Sequence, residues 1–210
     1  MKRRGRFILV IAAVLAAGIS SLFYEVLWIR QLGFSLGSTA VVTSIMLTAF
    51  LGGLALGSYL IGKRADSFDH PLRVFALIEI VAALAGIASI PALAYAGRAY
   101  VLIASTTGLT GFWAMVVRAL FSLVIMTIPA ILFGMTFPVA TVAGTRLVGS
   151  ELAAGAVSAA SSFGSAIGAL LCGLWAEPTL GLFVSAVVAA GINLLAASLA
   201  FGAHVLTPRE

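Results

Sequence analysis

The chain of 210 residues carries only seven acidic side chains, so each can be asked what it could do. Glu25 falls near the outer end of a long apolar run, flanked by Tyr24 and Trp28. Aromatic residues in such places mark the boundary between a bilayer and water. Glu25 is therefore either a water-facing carboxylate paired with Arg30 or Arg118, or an outward-side site for a cation, because acids inside a membrane are costly and often line pathways. Glu79 sits two turns into another apolar run, about 10 Å along the axis at 1.5 Å per residue. Its alternatives are a pair with Arg64 or Arg73 and a proton or cation site. Arg118 is the matching deep base from the opposite face, with Glu177 near it. Glu25, Arg30, Arg118 and Glu177 can then form one outer polar cluster.

Asp66, Asp69 and His70 stand close together but at loose spacing in a hydrated loop, which does not describe a metal site. Asp66, with Arg64 and Arg73 on either side, is expected to clamp a helix end. Neither His70 nor His204 lies in the middle of an apolar run, no Ser/His pair is placed for nucleophilic attack, and no phosphate loop appears. The expectation is a chain without enzyme chemistry, cofactor or metal. Its membrane midplane is expected to lack any ionisable side chain, which counts against a proton-coupled carrier. Cys172, the only cysteine, rules out an internal disulfide. Ser158, Ser161, Ser162 and Ser165 make a small polar face suited to helix packing. Asn193 is the one strongly polar residue near the middle of the last apolar run.

These residues must be positioned by elements that live in lipid. The chain is 62% hydrophobic and 9% charged, against about 25% charged residues in soluble domains. Its net charge of +5 comes from basic residues in short clusters between apolar runs, with no basic face for nucleic acid. A spanning helix needs about 20 mostly apolar residues. Six segments qualify, at about 7–29, 39–62, 73–96, 113–140, 151–174 and 180–203. The first follows Lys2, Arg3, Arg4 and Arg6 and is longer than a signal-peptide core, so it is read as a retained helix. Short breaks at 33–38, 63–71, 108–111, 145–150 and 177–178 separate them and leave no room for a soluble domain. The stretch 96–111 reads as a helix lying in the outer interface or as an extended loop. Pro129 and Pro138 interrupt the fourth segment, and Pro138 is expected to kink it. With six crossings and an inner N-terminus, Lys2, Arg3, Arg4, Arg6, Lys63, Arg64, Arg73, Arg146 and Arg209 face the cytoplasm. Arg30, Arg98 and Arg118 fall at the other face. The expected fold is an all-α integral membrane bundle of six transmembrane helices with both termini cytoplasmic, in a bacterial inner membrane.

The second and fifth segments share a pattern. One reads Gly53-x3-Gly57-x4-Gly62-x3-Asp66 and the other Gly164-x3-Gly168-x4-Gly173-x3-Glu177, each position offset by the same 111 residues, with Ala65 and Ala176 before the acids. Glycines at this spacing strip one helix face and let a neighbouring backbone approach. The two segments cross in opposite senses, which describes an inverted three-plus-three repeat, a plan common in transporters.

Several stretches resemble the membrane domain of the fused spermidine synthase-like family. They are Tyr24-Glu25-Val26-Leu27-Trp28-Ile29-Arg30-Gln31-Leu32-Gly33 with Phe34 to Ser38, Phe50-Leu51-Gly52-Gly53-Leu54-Ala55-Leu56-Gly57-Ser58, Arg64-Ala65-Asp66, and Pro71-Leu72-Arg73 leading to Glu79. Gly134-Met135-Thr136-Phe137-Pro138 and the segment from Gly164 to Gly168, then Pro178 and Gly181, complete the match. Ser161-Ser162-Phe163-Gly164 departs from that family's Asn-Thr-Leu-Gly. The loop after the second segment is also similar to the Gly…Ala-Asp-Arg loop of major facilitator transporters. Members of the family usually continue into a soluble aminopropyltransferase-like domain, whereas these residues match the membrane half alone. The resemblance thus implies a non-catalytic membrane subunit working with a separately encoded membrane or soluble partner. The alternative it leaves open is a small facilitator-like transporter of polyamines or other organic cations, alone or as a homodimer of twelve helices, with Glu25 and Glu79 binding the cation.

Overall fold

A chain without water around its backbone must satisfy every N–H and C=O internally, and helices do this within one segment. The computed structural model describes residues 3–36, 40–108 and 111–206, and all regular structure among them is helical. The helices are α1 (Arg3–Leu36), α2 (Ala40–Ala65), α3 (Pro71–Thr107), α4 (Gly111–Val148), α5 (Ser150–Leu171) and α6 (Glu177–Val205), with a π-helical turn at Cys172–Ala176 joining the last two. Five apolar stretches are long enough to cross a membrane, the fifth being the 56 residues Ser150–Val205. This is the build of a multi-pass membrane protein. Lys2, Ser38 and Arg209, used above for orientation and resemblance, lie outside the described residues.

Three boundaries differ from the sequence expectation. Gly33 does not end α1, which runs on to Leu36. The stretch 96–111 is neither an interfacial helix nor a loop along most of its length, because α3 continues to Thr107. Ser105 and Thr106 stay in the helix by donating their hydroxyls to the carbonyls of Leu102 and Ile103 (2.8 and 3.0 Å). Gly108 then ends it in the left-handed region, its N–H on the Ala104 carbonyl at 3.0 Å. The third difference lies at Pro178, which sits harmlessly in a first helical turn, where its missing N–H is not needed. The reversal comes three residues later at Gly181, with φ 76° and ψ 172°, a backbone shape that only glycine adopts without strain.

Side-chain and backbone contacts fix the direction of each helix. Tyr24 and Trp28 of α1 meet Gly86 and Ser89 of α3 in the same order, so these two helices are parallel. Gly164 and Gly168 of α5 follow Leu15 and Ile19 of α1 likewise. Gly53 and Gly57 of α2 follow Ala130 and Ile131 of α4. Tyr24 and Ser20 instead meet Ala186 and Ala189 of α6 in reverse order. Six segments therefore alternate in direction. α1 and α4 pack together at the centre, α3 and α6 cover one side, and α2 and α5 lie against α4 and α1 respectively.

The buried apolar side chains form two large clusters rather than one. The first includes Phe23, Leu27 and Trp28 of α1, Ala82 of α3, Met126 and Phe133 of α4, and Ala186 and Ala189 of α6. The second includes Ala13, Val14 and Ala17 of α1, Phe75 and Ile78 of α3, Val139 and Ala140 of α4, and Ala196 and Ala197 of α6. Between them each helix presents polar or small residues: Ser20 and Ser21, Glu79, Gly134 and Thr136, and Asn193. A polar layer thus crosses the bundle at the middle of α1. Glu79 is wholly buried between the two clusters, deeper in the bundle than expected. Depth counted from Arg73 missed that Leu72 already packs beside Val10, well inside α1.

Candidate functional site

A cavity of about 250 Å³ opens in this layer, lined from α1, α2, α4 and α5, with Phe75 of α3 at one side. Its polar lining is made of the hydroxyls of Ser21, Ser58, Thr136, Ser161 and Ser165. Four of them spend their proton on a backbone carbonyl. Ser21 and Ser165 donate to Gly18 (2.9 and 3.5 Å), Ser58 to Gly134 (2.8 Å) and Thr136 to Phe133 (2.7 Å). A hydroxyl has one proton and two lone pairs. With the proton used, these groups offer the cavity acceptors.

The Ser58 bond has a local cause. Pro138 has no N–H, so the carbonyl of Gly134, four residues back, loses its helical partner. Ser58 of α2 supplies the missing proton across the α2–α4 seam. Gly134 has no side chain to block this approach, and a Cβ there would collide with the backbone of Leu54.

Glu79 lies one turn beyond Phe75 on α3 and is wholly buried. Among the described residues neither of its carboxyl oxygens has a hydrogen-bond partner, and the same holds for both side-chain atoms of Asn193 and for the Ser185 hydroxyl. Arg64 and Arg73, the partners expected from sequence, do not reach it. Arg73 instead donates to Nε2 of His204 at 2.6 Å. Glu25 is also buried, one turn beyond Ser21 and Leu22 on the face of α1 that lines the cavity.

The single outer cluster expected from sequence is divided. Arg30 and Glu177 form an ion pair of 2.7 Å. Arg118 stacks on Tyr100, 4.3 Å from the ring centre, with its Nε buried and unbonded. No ion pair among the described residues joins Arg118 or Glu25 to this pair. The residues that carry Arg118 and Tyr100 face each other because α3 is longer than expected, and the ring takes the place of a carboxylate.

The loop clamp is likewise built from other atoms. Arg146, at the end of α4, donates to the backbone carbonyls of Asp66 and Asp69 (3.0 and 3.3 Å). Arg64 contributes only its carbonyl, which accepts the N–H and the hydroxyl of Ser67 (3.0 and 2.7 Å). Of the six packing glycines, Gly53, Gly57, Gly164 and Gly168 each touch a neighbouring backbone. Gly62 and Gly173 do not. A Cβ at Gly62 would meet open space, and one at Gly173 only the Val26 methyl at 3.9 Å, because each stands five residues after its contact glycine instead of four and so turns off the shared face. Ser58 and Arg146 escaped the sequence reading, although Pro138 four residues after Gly134 signals an orphan carbonyl.

No known protein family, curated protein or solved structure matches the chain. What the site can do is therefore read from its geometry. The described residues hold no group of three metal-ligating side chains. They do hold a cavity of hydrogen-bond acceptors, at mid-bundle, with two buried carboxyls within a turn of its lining.

Proposed function

We propose that the chain crosses a membrane six times, its termini on the side of the basic clusters, and carries an organic cation such as a polyamine through the cavity. The observation that carries this reading is the lining of Ser21, Ser58, Thr136 and Ser165, each of whose hydroxyls donates to a backbone carbonyl and so has only lone pairs left to offer. An ammonium group brings several N–H donors and no acceptor, which is the complement of such a surface. Glu79 and Glu25 supply the negative charge such a guest requires. The place of the cavity, between helix pairs related by the inverted glycine pattern, agrees with carriers built from inverted repeats. A second copy meeting the α2 and α5 side would enclose the cavity and give twelve helices.

The test is uptake of labelled spermidine by liposomes containing the purified chain. Wild-type uptake that falls at least tenfold in both Glu79→Gln and Ser58→Ala/Ser161→Ala supports the reading. A chain that inserts and stays monodisperse yet moves no cation sinks it. The subunit reading rests on the resemblance to spermidine synthase-like membrane domains. A stoichiometric partner retained through mild-detergent purification, without cation uptake, would favour it.

A further inference from the structure

Glu79 poses a problem the cavity alone does not solve. An ionised carboxylate with no partner in an apolar interior is strongly disfavoured. No opposite charge faces it from any helix packed against α3. On α1 the buried ionisable groups are the acid Glu25 and Tyr24, whose hydroxyl donates to the Ala186 carbonyl, while Arg6 reaches the Ala203 carbonyl and Arg30 is paired with Glu177. On α4 the bases are Arg118 and Arg146, towards its two ends, engaged with Tyr100 and the 66–69 loop. On α6 the base is His204 in the last turn, held by Arg73 from the start of α3, and the acid Glu177 at the other end is paired with Arg30. His70 lies beside it, its ring centre 5.1 Å from that of His204. Asn193, equally without partners, lies at the same level on α6, between Ala189 and Ala196 as Glu79 lies between Ile78 and Ala82.

We infer that Glu79 is a proton-carrying site that exchanges its proton for the ammonium group of the cargo, an inference that rests on the carrier reading above. In the occluded state the carboxyl keeps its O–H and the layer holds no net charge. When Phe75, the lining residue one turn before Glu79 on α3, gives way, the O–H proton passes to water in the cavity. The carboxylate left behind accepts an N–H of the cation. At this one site a positive charge leaves as one ammonium group arrives, and the further ammonium groups of a polyamine fall to Glu25 and the hydroxyl acceptors of the lining. Cargo moving one way therefore drives protons the other way.

Infrared difference spectra of the whole chain in liposomes test this without relying on transport. At neutral pH the carbonyl stretch of a neutral carboxyl is expected, lost in Glu79→Gln and kept in Glu151→Gln on the exposed start of α5. Glu79→Asp should shift the band, which covers a glutamine variant that fails to assemble. Added spermidine should erase the band and release protons, read by a pH-sensitive dye. A band that is absent, or that survives Glu79→Gln, overturns the proton site. Spermidine uptake with the band unchanged overturns the exchange and leaves the carrier standing. No uptake, with the band intact, overturns the carrier and with it the exchange.

Discussion

The α2–α4 seam and the α1–α5 seam begin alike and end differently. In each, two glycines four residues apart lie against a neighbouring backbone: Gly53 and Gly57 on Ala130 and Ile131, Gly164 and Gly168 on Leu15 and Ile19. The central helices α1 and α4 thus each receive one flanking helix in parallel. Beyond the glycines the resemblance stops. The first seam is closed by Ser58 on the carbonyl freed by Pro138 and by Arg146 on the backbone of the 66–69 loop. The second passes Cys172, whose thiol meets the Phe23 carbonyl at 3.5 Å, through a π-helical turn to the Arg30–Glu177 pair. Close backbone approach is a demand of geometry that both seams share. The ends face different neighbours and are free to differ.

The largest effect should come from filling the shared part. A Cβ at Gly57 or Gly168 would collide with the carbonyl oxygen of Ile131 or Ile19. These are backbone atoms, and they cannot move aside without parting two helices. Gly57→Val and Gly168→Val should each cost about 3 kcal/mol or more, the upper end of overpacking, seen as aggregation or a large fall in the unfolding midpoint in detergent. Gly62→Ala, which meets nothing, should leave that midpoint unchanged. Equal loss at all three positions would mean that the glycine pattern acts through flexibility and not through close approach.

The same contrast explains how far the sequence could be read. The all-helical build and the approximate position of the long apolar stretches follow from hydropathy, because lipid admits little else, and the 111-residue pattern points to four true contact glycines. It extends to Gly62 and Gly173 without cause, since a step of five residues leaves the face that a step of four keeps. Glu79 is visible in the sequence as a deep acid, yet its lack of a partner and its level are not. Both depend on where Leu72 packs against α1, a matter of register between helices distant in sequence. Arg146 was counted for topology and missed as a clamp, because its acceptors are backbone carbonyls that no side-chain census contains. The cavity could not be foreseen at all. It needs four helices in place at once.

A smaller effect tests how the first seam is finished. Ser58→Ala leaves the Gly134 carbonyl without a donor, in a helix where Pro138 cannot restore one. The expected loss is about 1 kcal/mol, between the usual value of one hydrogen bond and the lower values found between membrane helices. Ser58→Thr keeps the hydroxyl and should recover most of it. The alanine variant should also weaken cation uptake, since an acceptor leaves the cavity. Reversible unfolding in mixed detergent reads the first effect and liposome uptake the second. A Ser58→Ala variant of unchanged stability would show that Gly134 finds another donor.

The smallest effects separate Asp66 from Glu177, which the repeat aligns. Asp66 gives Arg146 its carbonyl while its own carboxylate stays in the open, so Asp66→Asn should change nothing measurable at any salt concentration. Glu177 uses its side chain, and Glu177→Gln removes the partner of Arg30. The Arg30 side chain is 55% exposed and the Glu177 side chain 10%, so the pair keeps its arginine side in water, where an ion pair contributes little and is screened by salt. The variant should therefore differ from wild type only slightly in low salt, and the difference should vanish as salt is raised. Should Asp66→Asn prove the more harmful of the two, the clamp at the first seam would be a carboxylate device after all, and the seams would be alike to their ends.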